Sequence, residues 1–192
     1  MTSPASPADE TGHHGPDLDR VPSAPVPAVL ALGANLGEAA ATLKDAVRQL
    51  AETPGIELTG VSPVAVTQPV GGPPGQPDYL NLVLTLMTNL SPRGLLAAGQ
   101  AIEHTHHRTR EVRWGPRTLD IDVITYADLA SDDPELTLPH PRAHLRAFVL
   151  TPWSWVDPEA TLGGARVADL AAQADDAGSV RRLPIDTGRP AS

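Results

Sequence analysis

An α+β domain built on a βαββαβ core is what this sequence predicts, and three observations carry the prediction. Apolar residues run or alternate with strand period at 29–32, 80–87 and 119–126. Two other stretches, 38–52 and 92–104, carry apolar residues at helical spacing. With a further alternating stretch at 56–67, the order along the chain is strand, helix, strand, strand, helix, strand.

Each element has a local reason. Val29-Leu30-Ala31-Leu32 is a short apolar strand, followed by the turn Gly33-Ala34-Asn35-Leu36-Gly37. Ala39, Leu43, Ala46, Val47 and Leu50 then share one helix face, and Pro54-Gly55 ends that helix. Strand, glycine turn and helix in this order resemble a phosphate loop. The turn lacks both the G-x-G-x-x-G pattern and the P-loop lysine, so a plain tight turn is the better reading. Ile56 to Thr67 reads as one strand, with an interruption at Pro63. Residues 68–78 hold four prolines and three glycines and form a loop, long enough to cover a substrate or to serve as a connection.

Tyr79 to Met87 is apolar on both faces, the mark of a central strand. Ser91 is the N-cap and Pro92 the first position of a helix that turns Leu95, Leu96, Gly99 and Ile102 inward. Gln100 and Glu103, three residues apart, are expected to share a side. His104, His106 and His107 close this helix. Their spacing does not aim three imidazoles at one point, and histidine at a helix C-terminus is favoured by the macrodipole anyway. Leu136-Thr137-Leu138 is a short edge strand. Pro139 to Arg142 turns into a helix from about Ala143 with Leu145, Phe148, Val149 and Leu150 as its apolar set and Arg142 and Arg146 one helical turn apart. A last helix is expected at 165–174 and an edge strand at 181–185. The whole is the split βαβ, ferredoxin-like arrangement, with helices packed on a mixed, mostly antiparallel sheet.

Composition bounds the rest. The chain has 192 residues, enough for one ordinary domain. Residues 1–27 carry six prolines and no apolar periodicity and read as a disordered Pro-rich leader, 28–186 as a single domain, and 187–192 as a frayed tail. There is no cysteine, which excludes disulfides and thiolate metal sites. No signal peptide and no membrane span are recognisable, so a cytoplasmic location is expected. The formal charge of −9 argues against nucleic acid or anionic membrane as partner. Six of the 14 basic residues nevertheless fall between Arg108 and Arg146, a local positive patch suited to a small anionic ligand. A monomer is expected.

The chemistry concentrates at Leu119-Asp120-Ile121-Asp122-Val123. On a strand, Asp120 and Asp122 point to one face, about 7 Å apart by the strand rise. Asp is disfavoured in strands, and such a pair repels unless a cation sits between its members. Hard divalent cations, Mg2+ above all, take oxygen ligands of this kind. Arg108, Arg110, Arg113 and Arg117 lie just upstream, and arginine grips phosphate oxygens through a bidentate fork. A polar outer face on a half-exposed strand is the bland alternative. Carboxylates beside an arginine cluster point instead to a metal–nucleotide enzyme.

At this point the sequence resembles a known family. Arg113-Trp114-Gly115-Pro116-Arg117-Thr118-Leu119-Asp120-Ile121-Asp122 is similar to the signature of the 6-hydroxymethyl-7,8-dihydropterin pyrophosphokinases of folate biosynthesis. Four further stretches follow the family's order: Leu32 to Gly37, Pro77 to Asn81, Ile102-Glu103, and Leu138 to Arg142 with Arg146 to Leu150. The resemblance covers about residues 28–172. It implies transfer of the β,γ-pyrophosphoryl group of ATP to the pterin hydroxymethyl group, with release of AMP. It also implies two Mg2+ ions held by Asp120 and Asp122, and ATP as co-substrate. Gln100, Glu103, Arg110, Trp114, Arg117, Thr137, His140 and Arg146 match the ATP side. Thr67, Val70, Gly71, Tyr79, Asn81, Asp120 and Phe148 match the pterin side, with the ring stacked between Tyr79 and Phe148. Arg108 and Arg110 match arginines of a mobile loop and, with the two aspartates, count as catalytic. Ala34, Pro141 and His107 depart from the usual family residues. A catalytically inactive nucleotide-binding module of the same fold is the alternative function; the intact aspartate pair speaks against it. An RNA-binding sheet would need surface aromatics, and these strands offer few.

Overall fold

A computed structural model describes residues 15–68, 77–106 and 118–183 of the chain. The first strand, β1 (Val26–Ala34), lies between two antiparallel partners. One partner is β4 (Tyr79–Thr88), the other β5 (Asp120–Tyr126). Beyond β4 lie β2 (Ile56–Val61) and β3 (Ala65–Thr67), each paired with its own part of β4, and β10 (Arg181–Arg182) pairs with β3. The sheet order is therefore β10-β3-β4-β1-β5. This is the expected ferredoxin-like order, with one correction: every pairing among the described residues is antiparallel, so the sheet is not mixed.

The expected strand over 56–67 is two strands. Ser62, Pro63 and Val64 separate them, and Ser62 replaces the lost ladder bonds with its own. Its N–H donates to Val83 O at 2.9 Å, and its Oγ accepts from Val83 N at 2.9 Å. Gly60 follows a register shift in β2. A Cβ there would sit 2.6 Å from Val156 Cγ2 and 2.7 Å from Thr85 Oγ1.

Helices cover both faces, so the strands sort their side chains by parity. Helices α1 (Ala39–Glu52) and α2 (Pro92–Thr105) cover one face. There Leu30, Leu32, Leu82, Leu84, Leu86, Ile121 and Val123 meet Leu43, Leu50, Leu95 and Ile102 in one core. Helix α3 (Ala147–Val156) and the short α4 (Val167–Gln173) cover the other, with Val29, Val83 and Ile124 beneath Val149, Leu150, Trp153 and Val167. Glycine at 99 lets α2 lie close on β5, since a Cβ there would be 3.1 Å from Ile121 Cγ2. Two small hairpins complete the described chain: β6 (Ser131–Asp132) with β7 (Thr137–Leu138), and β8 (Thr161–Leu162) with β9 (Ala165–Arg166).

Ser91 caps α2 as expected, accepting from Gly94 N at 3.1 Å with Pro92 first in the helix. The expected boundary at residue 28 is displaced. β1 begins at Val26, and Leu18 is buried in the α1/α2 core while its carbonyl accepts from Arg93 N. The segment 143–150 is also not one helix. A 3-10 turn, Ala143–Leu145, precedes α3, and Leu145 is exposed rather than part of the apolar set. The tail 187–192 lies outside the described residues.

Gly60 supplies a test of this packing. Gly60→Ala is expected to lower stability by about 1–3 kcal/mol through overpacking. A lower denaturant midpoint at unchanged slope is the expected readout; an unchanged midpoint would show that α3 does not press on β2.

Candidate active site

The site lies on the α3 face of the sheet, where β1 provides space. Ala31 and Gly33 stand opposite Asp122 and Asp120 of β5 in the register, and Gly33 faces Asn81 of β4. Large residues at these two positions would fill the space above the strand. A Cβ on Gly33 would meet Asn81 Oδ1 at 3.0 Å. Above them opens a cavity of about 370 Å³, lined by Ala31, Leu32 and Gly33, by Thr67 and Gln68, by Tyr79 and Asn81, by the two aspartates, and by α3 and the turn before it.

Five of the seven residues expected on the pterin side meet there: Thr67, Tyr79, Asn81, Asp120 and Phe148. Asn81 is buried, and its amide has a fixed orientation because Nδ2 donates to Thr67 Oγ1 at 2.9 Å. Its oxygen is thereby turned over Gly33. Such an amide offers a carbonyl acceptor beside donors, complementary to a heteroaromatic amide edge. The Arg146 guanidinium lies over the Phe148 ring, 5.4 Å from its centroid, so one face of that ring is covered by a cation.

Asp122 and Arg146 line the same cavity. His140 lies beside them, with Nε2 4.0 Å from Asp122 Oδ2. The backbone N–H of His140 donates to Ile124 O at 2.8 Å, which pins its loop to β5. Its Nδ1 accepts from Arg142 N at 3.3 Å, so the proton of the neutral ring sits on Nε2, toward Asp122. Burial pushes the His140 pKa below the usual histidine value. Asp122 opposes this, while Arg146 and Arg142 add to it.

The remaining expected ATP residues spread more widely. Glu103 is buried, and its Oε1 accepts from Ile121 N at 2.7 Å, so the carboxylate covers β5 where β1 does not. Gln100 is exposed on the same helix. The pair therefore straddles the edge of the buried stripe: Glu103 lies inward with Gly99 and Ile102, and Gln100 lies beside it toward solvent. Thr137 on β7 donates its hydroxyl to Asp133 O at 2.9 Å. None of these three lines the cavity. Val70, Gly71, Arg108, Arg110, Trp114 and Arg117 lie outside the described residues.

Gln68 belongs to the loop expected to cover a substrate, but Leu145, Asp175 and Asp176, which also line the cavity, were not expected there from sequence. Nothing local marks them, because the last two arrive from a segment distant in sequence. Arg142 also lines the cavity, although it and Arg146 are not on one helix as expected.

As metal ligands, Asp120 and Asp122 present hard oxygen donors at an open cavity wall. Among the described residues no cluster of three or more His, Cys, Asp or Glu side chains could hold a metal. Carboxylate oxygens of this kind suit Mg2+, which keeps waters and completes its shell with substrate phosphate rather than a full protein cage.

Comparison with known proteins agrees with this geometry. The family described as 7,8-dihydro-6-hydroxymethylpterin-pyrophosphokinase (HPPK) matches residues 29–158. The chain belongs to this family. An HPPK relative from Methylorubrum extorquens, named 2-amino-4-hydroxy-6-hydroxymethyldihydropteridine pyrophosphokinase, is 42% identical over 154 residues, covering 80% of this chain and 97% of its own. A protein of the same name from Mycobacterium tuberculosis is 41% identical over 144 residues, 70% of this chain and 74% of the relative. Among solved structures, wild-type Plasmodium falciparum HPPK-DHPS with pterin and p-hydroxybenzoate superposes with a TM-score of 0.65 at 14% identity. That match covers 84% of this chain and 47% of the other, so this chain spans about half of the HPPK-DHPS protein and the likeness is one of fold.

The environment of His140 gives a titration test. Asp122 is the group that raises the His140 pKa against burial. Asp122→Asn is therefore expected to lower it further, read by proton NMR of the imidazole. An unchanged titration would remove Asp122 from the surroundings of His140.

Proposed function

We propose that this chain transfers the β,γ-pyrophosphoryl group of ATP to the hydroxymethyl group of 6-hydroxymethyl-7,8-dihydropterin, giving the pterin diphosphate and AMP in folate biosynthesis. The observation that carries the reading is the meeting, in one cavity, of an aspartate pair with a flat-ring site made by Tyr79, Asn81 and Phe148. Membership of the pyrophosphokinase family supports it.

In this reading the pterin lies between Tyr79 and Phe148, with Asn81 and Thr67 fixing its polar edge. The hydroxymethyl oxygen then faces the aspartates. It bonds to the β-phosphorus and releases its proton to solvent as the bridge to the α-phosphate breaks, and AMP carries away the bridging oxygen. Such transfer needs alignment and charge neutralisation more than covalent help from the protein. Asp120 and Asp122 would hold two Mg2+ ions, which when bound neutralise phosphate charge and orient both oxygens. Arg146, with Arg108, Arg110 and Arg117 of the segment before β5, supplies further positive charge to the triphosphate. His140, kept neutral by burial, offers its Nε2 proton without adding a charge, and Glu103 holds the edge of β5 at which Asp120 and Asp122 stand. Gln100, Thr137 and Trp114 complete the proposed ATP side. The cytoplasm, where such substrates are found, is the proposed location, and a monomer the proposed state. Among the described residues no helix is long and apolar enough to cross a membrane.

Asp120→Asn or Asp122→Asn is expected to lower turnover by roughly 100-fold or more, about 3 kcal/mol, in a coupled AMP-release assay with titrated Mg2+. Thermal stability should hold or rise, because repulsion between the carboxylates is relieved. Near-normal turnover at saturating Mg2+ would sink the metal assignment.

Phe148→Ala is expected to weaken pterin binding by roughly 1–3 kcal/mol, if base-like stacking is the guide, and ATP binding far less. Calorimetric titration with each ligand separates the two. Equal losses would mark Phe148 as a packing residue only.

A further inference from the structure

Helix α3 begins without a cap of its own. Its N-cap position is Arg146, whose side chain makes no capping hydrogen bond. A short oxygen-bearing residue is the ordinary choice at such a position. Here it would remove the guanidinium that lines the cavity and covers Phe148. The N–H of Ala147 is left over by the helix, and Ala147 is fully buried, so water cannot satisfy it.

The missing acceptor comes from 29 residues further on. Asp176 Oδ1 accepts from Ala147 N at 2.8 Å, and a carboxylate at a helix N-terminus is also favoured by the helix dipole. Asp176 is itself held in place. Its carbonyl accepts from Ser179 N at 3.0 Å and from Ser179 Oγ at 2.7 Å. The chain then runs into β10, which pairs Arg181 with Val66 and Arg182 with Ala65. Leu183 N donates to Val64 O at 2.8 Å, and Arg181 Nη2 lies 3.2 Å from Asp78 Oδ2, next to Tyr79. One short segment thus ties the start of α3 to the strand that carries Thr67 and to the entry of the strand that carries Tyr79 and Asn81. It lies beyond residue 158, where the family match ends.

We propose that Asp176 is a positioning residue for the pterin side of the site, fixing the first turn of α3 and with it the Phe148 ring. The proposal rests on the pterin reading above for its kinetic consequence, but not for its structural one. Phe148 is the only phenylalanine in the chain, so 4-fluorophenylalanine labelling gives a single fluorine resonance that reports its surroundings in the full chain without substrate.

Asp176→Ala is expected to shift and broaden that resonance, whereas Asp176→Asn, which keeps an acceptor oxygen, should restore it. With ATP, Mg2+ and 6-hydroxymethyl-7,8-dihydropterin, Asp176→Ala should raise the pterin KM about tenfold, the scale of one lost hydrogen bond to a charged group. The ATP KM should rise less than the pterin KM, and Asp176→Asn should stay near the wild type. Asp176→Glu keeps the charge but moves the acceptor, and serves if Asp176→Ala folds poorly; the same shift is expected in smaller measure. An unchanged resonance in both Asp176→Ala and Asp176→Glu overturns the proposal. So does equal damage by Asn and Ala, or an equal rise in both KM values. Failure of the wild type to release AMP would refute the proposed reaction instead, and the fluorine signal would still decide the role of Asp176.

Discussion

The parity of β1 is the constraint on which the rest of the structure depends. This strand is sandwiched between β4 and β5 and covered on both faces, so every residue must belong to one layer or the other. Leu30 and Leu32 face α1 and α2, while Ala31 and Gly33 face the cavity. A slip of one residue in its pairing would drive leucines into the cavity and leave small residues in the core. A one-residue slip of β5 would likewise exchange Asp120 and Asp122 with Ile121, burying two carboxylates among Leu95 and Ile102. Burial of the leucine face and formation of the site are thus one choice of register. Hydrophobic free energy, about 25 cal/mol per Å² buried, enforces the geometry of a polar site that could not enforce itself.

The features legible in the sequence are those set by period or by local turn chemistry. Alternation at 119–123 is enough by itself to put both aspartates on one face of a strand. Ser91-Pro92 announces the start of α2, and the helix starts there. Tyr79, Asn81 and Phe148 gather in the cavity as the family resemblance implies, along with Thr67 and Asp120. What the sequence hides depends on partners distant along the chain. Glu103 sits on a buried helix stripe because an edge N–H of β5 awaits it, and nothing near position 103 reveals that partner. Arg142 and Arg146 share no helix because a 3-10 turn resets the phase between them. His106, a helix-end residue by its place in the sequence, also faces α1, with Nε2 3.2 Å from Asp45 Oδ2.

Charge follows a similar logic. The chain is acidic overall, yet the cavity sets Arg142 and Arg146 among Asp120, Asp122, Asp175 and Asp176. Both signs thus share one lining, and Asp176 sits at the start of α3. The cavity can therefore stay polarised without the strong net field that would attract polyanions indiscriminately. Away from it, Arg93 gathers Asp133, Glu135 and Asp19 around the start of α2. Hydrogen bonds from Glu135 N and Leu136 N, together with Arg93, hold the Asp133 carboxyl below the usual carboxylate range.

Leu18 gives this last cluster a practical meaning. Its side chain plugs the core beside α2, and its carbonyl takes the N–H of Arg93, one of the donors a helix start cannot satisfy internally. The chain before β1 therefore behaves as a stopper for the first turn of α2. An expression boundary drawn at residue 28, where periodicity begins, would pull that stopper. It would open apolar surface at the helix start and strip Arg93 of Asp19. A minimal version of this domain for crystallisation or ligand screening should start upstream of Asp17, and its protease-resistant core should be found to do the same.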